Sequence, residues 1–266
     1  MTYAATAGDI PSKDISAPRL LALQRMLIWL TAASSSIVFI EPSPYEIMTL
    51  SSAVFFCATG TRMRLALVPL LLLLILINVG YSIGAIPFYD KTEVASWIGT
   101  SWYMAITVMF FAMAMSEDTE ARLDMLRRGL IVGAMIASIS AIAGYLNLVP
   151  GGHDLLTLYG RGRGTFKDPN VLGAFLILPA VFALQSVVSD NLAKSLRNAL
   201  AFGIMAFAVL IAFSRAAWGG LAITAAFMLI LMMLTSRTSG QRARIAITSL
   251  AAVVLLELTL GACLLC

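Results

Sequence analysis

The chain contains the stretch GRGRGTFKDPNVLGAF, from Gly160 to Phe175. Three cations, Arg161, Arg163 and Lys167, stand directly before residues 168–170, whose sequence Asp-Pro-Asn is typical of a helix start. The apolar residues that follow predict a membrane-spanning helix. Because cations at the mouth of such a helix are costly unless something anionic lies there, the stretch predicts an anion site as well as an element of the fold.

The composition is typical of a polytopic membrane protein. Of 266 residues, 60% are apolar and only 12% are charged, whereas a soluble domain carries about 25% charged residues. The mean hydropathy is +0.91. Residues 1–19 form a polar segment, and residues 20–266 form a predicted transmembrane helical domain. Since the first apolar run is too long for a signal-peptide core, we expect it to be retained as the first span.

The apolar runs predict an all-α fold with about nine transmembrane helices, each near the roughly 20 residues that cross the hydrocarbon core. The run 201–235 is too long for one crossing, and we divide it at Ser214-Arg215 into a tight hairpin. The predicted spans are 20–40, 44–60, 65–86, 95–115, 127–148, 169–188, 197–213, 215–235 and 243–265.

The distribution of cations predicts the orientation of these spans. Most of the 18 Lys and Arg residues lie in loops on one side, which the positive-inside rule assigns to the cytoplasm. The N-terminus is then cytoplasmic, while the C-terminus and the loop 149–168 lie at the outer face. The cations on the outer side are Lys91, Arg161, Arg163, Lys167 and Arg215. All but Lys91 belong to the start of the sixth or the eighth span, which is the clustering expected of a site.

The loop before the sixth span has the chemistry of an anion site, because the helix points its free N–H groups and positive dipole end outward. Arg161 and Arg163 offer planar donor forks suited to phosphate, and Lys167 offers a point charge. Asn170 can donate or accept within the first turn. The glycines between them would let the backbone approach a ligand closely. The alternative is a capped helix whose arginines reach lipid headgroups.

The eighth span repeats this arrangement. Ser214 can cap it, which places Arg215 in the first turn, where a cation opposes the helix dipole. An arginine near the membrane in this position indicates a functional role. The alternative is that it anchors the helix at the membrane interface and so fixes the topology. Together the two helix starts form a candidate diphosphate site. His153, the only histidine, lies in the same outer loop and is a candidate general base, although a lone loop histidine is more often incidental.

Other chemistries lack sequence support. The chain has no H-E-x-x-H, P-loop or G-x-S-x-G motif, so we expect neither a metal nor a cofactor, and no nucleic-acid partner. Cys263 and Cys266 have C-x-x-C spacing, but they lie in a Leu-rich apolar run. Small apolar side chains in a membrane helix explain them better than a redox or zinc site.

At these residues the chain resembles the O-antigen ligase and polysaccharide polymerase family of bacterial envelopes. The resemblance lies in RGTFKDPNVLG, from Arg163 to Gly173, and FSRAAWGGL, from Phe213 to Leu221, with EPSPYE, from Glu41 to Glu46, in addition. It implies a metal-independent, glycosyltransferase-like protein of the bacterial inner membrane. The substrate would be an undecaprenyl-diphosphate-linked glycan at the periplasmic face, and the acceptor another glycan or lipid A-core.

The resemblance also implies that Arg215, with Arg161 and Arg163, holds the diphosphate and stabilises the charge of the leaving group. Family members usually continue into a large periplasmic loop that carries acceptor-activating residues. Nothing in this chain matches that loop, so we expect the N-terminal portion of a longer enzyme, inactive alone. The alternative function is a membrane transporter or a lipid-linked glycan handling protein without transferase activity, because the same cations could guide an anionic solute.

Overall fold

The computed structural model describes residues 16–249 apart from 62, 89, 190 and 237. Two 3-10 turns, Leu65–Leu67 and Ile86–Phe88, and a short hairpin interrupt a helical fold. Residues 239–249 are also helical. The elements are α1 (Ser16–Ser34), α2 (Pro44–Ala58), α3 (Val68–Gly84), α4 (Thr92–Ala114), α5 (Thr119–Tyr145), α6 (Gly152–Leu156), β1 (Thr157–Leu158), β2 (Arg161–Gly162), α7 (Pro169–Ser189), α8 (Leu192–Ile211) and α9 (Arg215–Thr235).

Six helices within this part of the chain are long and apolar enough to cross a membrane, which defines an all-α, multi-pass membrane protein. They are Leu65–Gly84, Thr92–Ala114, Thr119–Tyr145, Pro169–Ser189, Ala193–Ile211 and Arg215–Thr235.

The first two predicted spans are helices, but they do not have both the length and the hydropathy of these six. Helix α1 carries Arg19 and Arg25, which lower its hydropathy. Helix α2 has only 15 residues, about 22 Å at 1.5 Å per residue, against a hydrocarbon core of about 30 Å. Most of the ninth predicted span, 243–265, lies outside the described residues. The count of nine therefore stays a prediction.

Helices α1 and α5 run parallel in close contact. A Cβ atom on Gly129 would lie 2.4 Å from the carbonyl oxygen of Trp29, and one on Gly133 would lie 2.6 Å from that of Ala33. Residue numbers rise in the same direction along both helices, so their C-terminal ends lie on the same side. This agrees with the predicted alternation, in which the first and fifth spans cross in the same direction.

Helix α7 lies at the centre of the larger core. Residues buried against one another include Ala137 of α5, Leu172 and Leu176 of α7, and Met205 and Ala208 of α8. In α7, 56% of an apolar stretch of 18 residues is buried, against 6% of the corresponding stretch in the helix Leu65–Gly84. The cation-bearing stretch from Gly160 to Phe175 therefore leads into the central helix of the bundle, while α3 lies at the periphery.

The predicted hairpin at Ser214-Arg215 is confirmed. Helix α8 ends at Ile211 and α9 begins at Arg215, with the Ser214 side chain accepting a hydrogen bond from the backbone N–H of Ala217. A Cβ atom on Gly173 would lie 2.7 Å from the Cβ of Ala217. The N-terminal ends of α7 and α9 are thus in direct contact, because small residues face each other there.

A buried arginine connects four helices at the end of the bundle opposite the α8–α9 hairpin. Arg122, in the first turn of α5, is 1% exposed. Its guanidinium donates to Oε1 of Gln24 and to the carbonyl oxygen of Ala114, both at 2.6 Å, and lies 5.1 Å from the ring centroid of Phe56. The sequence pattern treats Arg122 as an ordinary loop cation. The structure instead gives it a role in joining α1, α2, α4 and α5.

Candidate functional site

The loop between α5 and α7 is folded back on itself. Strands β1 and β2 pair antiparallel, with Leu158 opposite Arg161. Tyr159 and Gly160 connect them with φ values of 53° and 72°, as a two-residue turn with positive φ at both positions requires. Gly160 therefore serves the turn, and the turn fixes the point at which Arg161 enters the site.

The backbone after this turn is clamped between helices. A Cβ atom on Gly162 would lie 3.1 Å from Cδ1 of Ile211, and one on Gly164 would lie 2.5 Å from the carbonyl oxygen of Ala137. The close approach that the glycine pattern predicts for a ligand is thus made to α8 and α5. Glycine is required at position 164, because a Cβ atom there would overlap the backbone of α5, whereas at position 162 the end of the Ile211 side chain would have to shift.

The predicted helix start at Asp168 is confirmed. Helix α7 begins at Pro169, and Oδ1 of Asp168 accepts a hydrogen bond of 2.7 Å from the backbone N–H of Asn170. The carbonyl oxygen of Asp168 accepts from the N–H of Leu172. This cap fixes the direction of the first turn and leaves the side chain of Asn170 at the surface.

Arg161 and Asn170, both predicted site residues, are brought together. Nη2 of Arg161 donates to Oδ1 of Asn170 at 2.7 Å, and its Nε donates to the carbonyl oxygen of Ala212 at 2.8 Å. The cation therefore lies where α8 ends with its negative dipole. These bonds use two of the five N–H donors of a guanidinium. Arg161 joins the hairpin, the first turn of α7 and the corner between α8 and α9.

Arg163 and Lys167 contact the protein elsewhere in the loop. Nε and Nη2 of Arg163 donate to the carbonyl oxygen of Leu155, at 3.2 and 3.1 Å. Lys167 forms an ion pair with Glu41, in the segment between α1 and α2. Both partners of that pair are exposed, where ion pairs contribute little to stability. Their assignment to a diphosphate stays a prediction.

Arg215 differs from the other three cations. It is exposed, and within the described part of the chain no hydrogen bond or ion pair engages its guanidinium. Its Cα lies at most about 11 Å from that of Ala212, since consecutive Cα atoms are 3.8 Å apart. Because Arg161 binds the Ala212 carbonyl, both arginines belong to the same corner of the bundle.

His153 makes its described ionic contact with a neighbour in the chain. It lies in α6 with its side chain exposed, and its Nδ1 is 3.8 Å from Oδ1 of the adjacent Asp154. Within the described ranges no hydrogen bond or ion pair joins its side chain to Arg161, Asn170 or Arg215. The role of His153 as a general base stays a prediction.

The corner also carries aromatic rings that the sequence argument does not identify. Phe213 is 44% exposed, and its ring centroid lies 6.2 Å from that of Tyr145 and 6.4 Å from that of Trp218. Its φ is 46°, a left-handed conformation that costs a residue other than glycine roughly 1–2 kcal/mol. The only sequence signal is the adjacency of Phe213 to Ser214-Arg215.

Comparison with protein-family models, with curated proteins and with solved structures finds no match for this chain. Functional inference therefore depends on the site itself: a helix start, a partnered arginine, an exposed arginine and an aromatic cluster, all at one corner of a membrane bundle.

Proposed function

We propose that this protein binds an undecaprenyl-diphosphate-linked glycan at the periplasmic face of the bacterial inner membrane, as an O-antigen ligase or polymerase-like protein. Arg215 is the principal ligand of the diphosphate, with Arg161 beside it. The observation that carries the proposal is the exposed guanidinium of Arg215, which lacks a partner in the described part of the chain at the start of a membrane helix.

The electrostatics of the corner favour an anion. A cation in the first turn opposes the helix dipole, at a cost of about 0.3–1 kcal/mol, whereas an anion there is stabilised by a similar amount. Arg215 lies in the first turn of α9, and α7 begins beside it. A diphosphate bound at this corner would interact with the N-terminus of α9 and accept bidentate hydrogen bonds from Arg215, whereas the Asp168 carboxylate already caps the N-terminus of α7.

The four predicted cations divide into two groups under this proposal. Arg161 and Arg215 act on the diphosphate, because both belong to the α8–α9 corner. Arg163 and Lys167 instead contact the protein itself, through the Leu155 carbonyl and Glu41. Asn170 orients Arg161 by accepting its hydrogen bond.

The chemical contribution of this site is to stabilise the leaving group. When an acceptor hydroxyl attacks the sugar carbon bound to the diphosphate, the carbon–oxygen bond breaks and negative charge grows on the lipid diphosphate. Preformed donors around that charge lower the barrier to transfer. The proposal assigns this chain the binding and charge stabilisation and leaves the proton-accepting group unassigned.

The proposed orientation places the corner outside and the N-terminus in the cytoplasm, with about nine spans in all. Its structural support is the grouping of the ends: α5 ends, α7 begins, and α8 passes into α9 on the same side. Arg122, Arg127 and Arg128 lie at the other end of α5, as the positive-inside rule requires for a cytoplasmic end.

The test is equilibrium binding of farnesyl diphosphate, a short prenyl diphosphate, to the purified protein in detergent micelles. We expect Arg215→Ala to weaken binding by about tenfold or more, the scale of a lost charge-assisted hydrogen bond. Arg128→Ala is the matched control, since Arg128 is 62% exposed at the opposite end. Equal affinities for the wild type and Arg215→Ala would refute the proposal.

A further inference from the structure

Phe213 occupies a position at which the backbone favours glycine. It follows the C-cap residue Ala212 of α8, and its N–H donates to the carbonyl oxygen of Leu210 at 3.0 Å. Helices often end with a left-handed residue at this place, and that residue is usually glycine. With φ at 46°, Phe213 is strained, and backbone strain of this kind is found more often at functional sites.

Contacts within the protein use only part of this ring. The centroid distances of 6.2 and 6.4 Å to Tyr145 and Trp218 lie toward the outer limit of the roughly 4.5–7 Å range for aromatic pairs. The residue is 44% exposed. The rings of Tyr145 and Phe213 therefore present a partly open aromatic surface.

This aromatic surface adjoins the proposed diphosphate ligands on the side that faces away from the membrane interior. Phe213 lies in the corner that connects α8 and α9, and Arg215 begins α9 two residues later. Trp218 lies almost one turn farther along α9, deeper in the bundle. A lipid diphosphate held at Arg215 would direct its prenyl chain into the membrane, toward the level of Trp218. Its head group would then lie on the side of Phe213.

We infer that Phe213, supported by Tyr145, binds the apolar face of the sugar ring joined to the diphosphate. This inference rests on the proposed function and identifies the residue that contacts the sugar of the head group. A pyranose presents a row of C–H bonds on one face, which packs on an aromatic ring, while its hydroxyl groups stay in water. Ligand sites typically combine such aromatic surfaces with a few charged groups.

The test compares two probes on the purified protein in micelles: farnesyl diphosphate and farnesyl diphosphate-linked N-acetylglucosamine. We expect the wild type to bind the sugar-bearing probe roughly threefold to tenfold more tightly, the scale of one aromatic contact. Phe213→Gly should abolish this difference and leave the affinity for farnesyl diphosphate unchanged. It should also leave the protein folded, because relief of the strained backbone offsets part of the loss of the ring contacts and of the extra freedom that glycine gives the unfolded chain.

Two further variants keep the result interpretable. Phe213→Leu keeps apolar volume without an aromatic face and should also lose the difference, whereas Phe213→Trp should keep it. If Phe213→Gly and Phe213→Leu retain the wild-type preference, or if the wild type has none, the inference is overturned while diphosphate binding stands. Weaker binding of farnesyl diphosphate by Phe213→Gly would assign the ring to the prenyl chain and also overturn it. If Arg215→Ala leaves both affinities unchanged, the proposed function fails, and the inference fails with it.

Discussion

Replacing Gly164 by alanine tests whether the cation-bearing loop is held by its contact with α5. Gly164 has a φ of +54°, and a Cβ atom there would lie 2.5 Å from the carbonyl oxygen of Ala137. The left-handed backbone costs alanine roughly 1–2 kcal/mol. The overlap with a helix backbone adds about 1–3 kcal/mol. We therefore expect Gly164→Ala to lower the free energy of unfolding by about 2–5 kcal/mol.

Gly160 provides the matched control. Its φ is +72°, and no atom lies within 4 Å of the position that its Cβ would take. Gly160→Ala therefore incurs only the backbone cost of roughly 1–2 kcal/mol. The difference between the two variants isolates the contact with Ala137 at about 1–3 kcal/mol.

The assay is unfolding of the purified protein by sodium dodecyl sulphate in mild detergent micelles, followed by far-ultraviolet circular dichroism. Gly219→Ala, in α9 with open space around its Cβ position, should be neutral or stabilising and controls for the substitution itself. If Gly164→Ala and Gly160→Ala destabilise equally, the loop is not clamped against α5. The placement of Arg161 would then lose its structural basis.

Further substitutions at three places have definite expectations, in the same unfolding assay except where binding is named. Arg122→Met should lower the free energy of unfolding by about 2–4 kcal/mol, because Gln24 and a backbone carbonyl lose their buried donor; unchanged stability would contradict the buried contacts. A double-mutant cycle on Lys167 and Glu41 should give a coupling below about 1 kcal/mol, since both side chains are exposed, and a larger value would show a stronger role for the pair. Ser214→Ala should cost about 1 kcal/mol, whereas Ser214→Asp should restore the cap and weaken farnesyl diphosphate binding, because a carboxylate beside the site repels the anion.

Features that depend on local sequence could be predicted. The start of α7 follows from Asp168-Pro169, whose cap and fixed φ act within a few residues. The α8–α9 hairpin follows from the length of the run 201–235, which exceeds one crossing. The second predicted span, 44–60, agrees in position with α2, but hydropathy alone does not show that α2 has only 15 residues.

Features that depend on distant residues could not be predicted. The partner of Lys167 is Glu41, 126 residues away, and the partner of Arg163 is a backbone carbonyl, which has no sequence signature. Arg122 looks like a loop cation until α1 and α4 pack around it. The left-handed φ of Phe213 also has no sequence signature, because the residue that usually marks that conformation is glycine.

The central claim is that the α8–α9 corner and the first turn of α7 hold a lipid diphosphate. The most direct measurement is photo-crosslinking of the protein in membranes to a prenyl diphosphate that carries a photoreactive group next to the phosphates, followed by mass spectrometric mapping. We expect cross-links within residues 211–218 and 161–170, and their loss in Arg215→Ala. Cross-links concentrated near Arg122 and Arg128, unaffected by Arg215→Ala, would contradict the account.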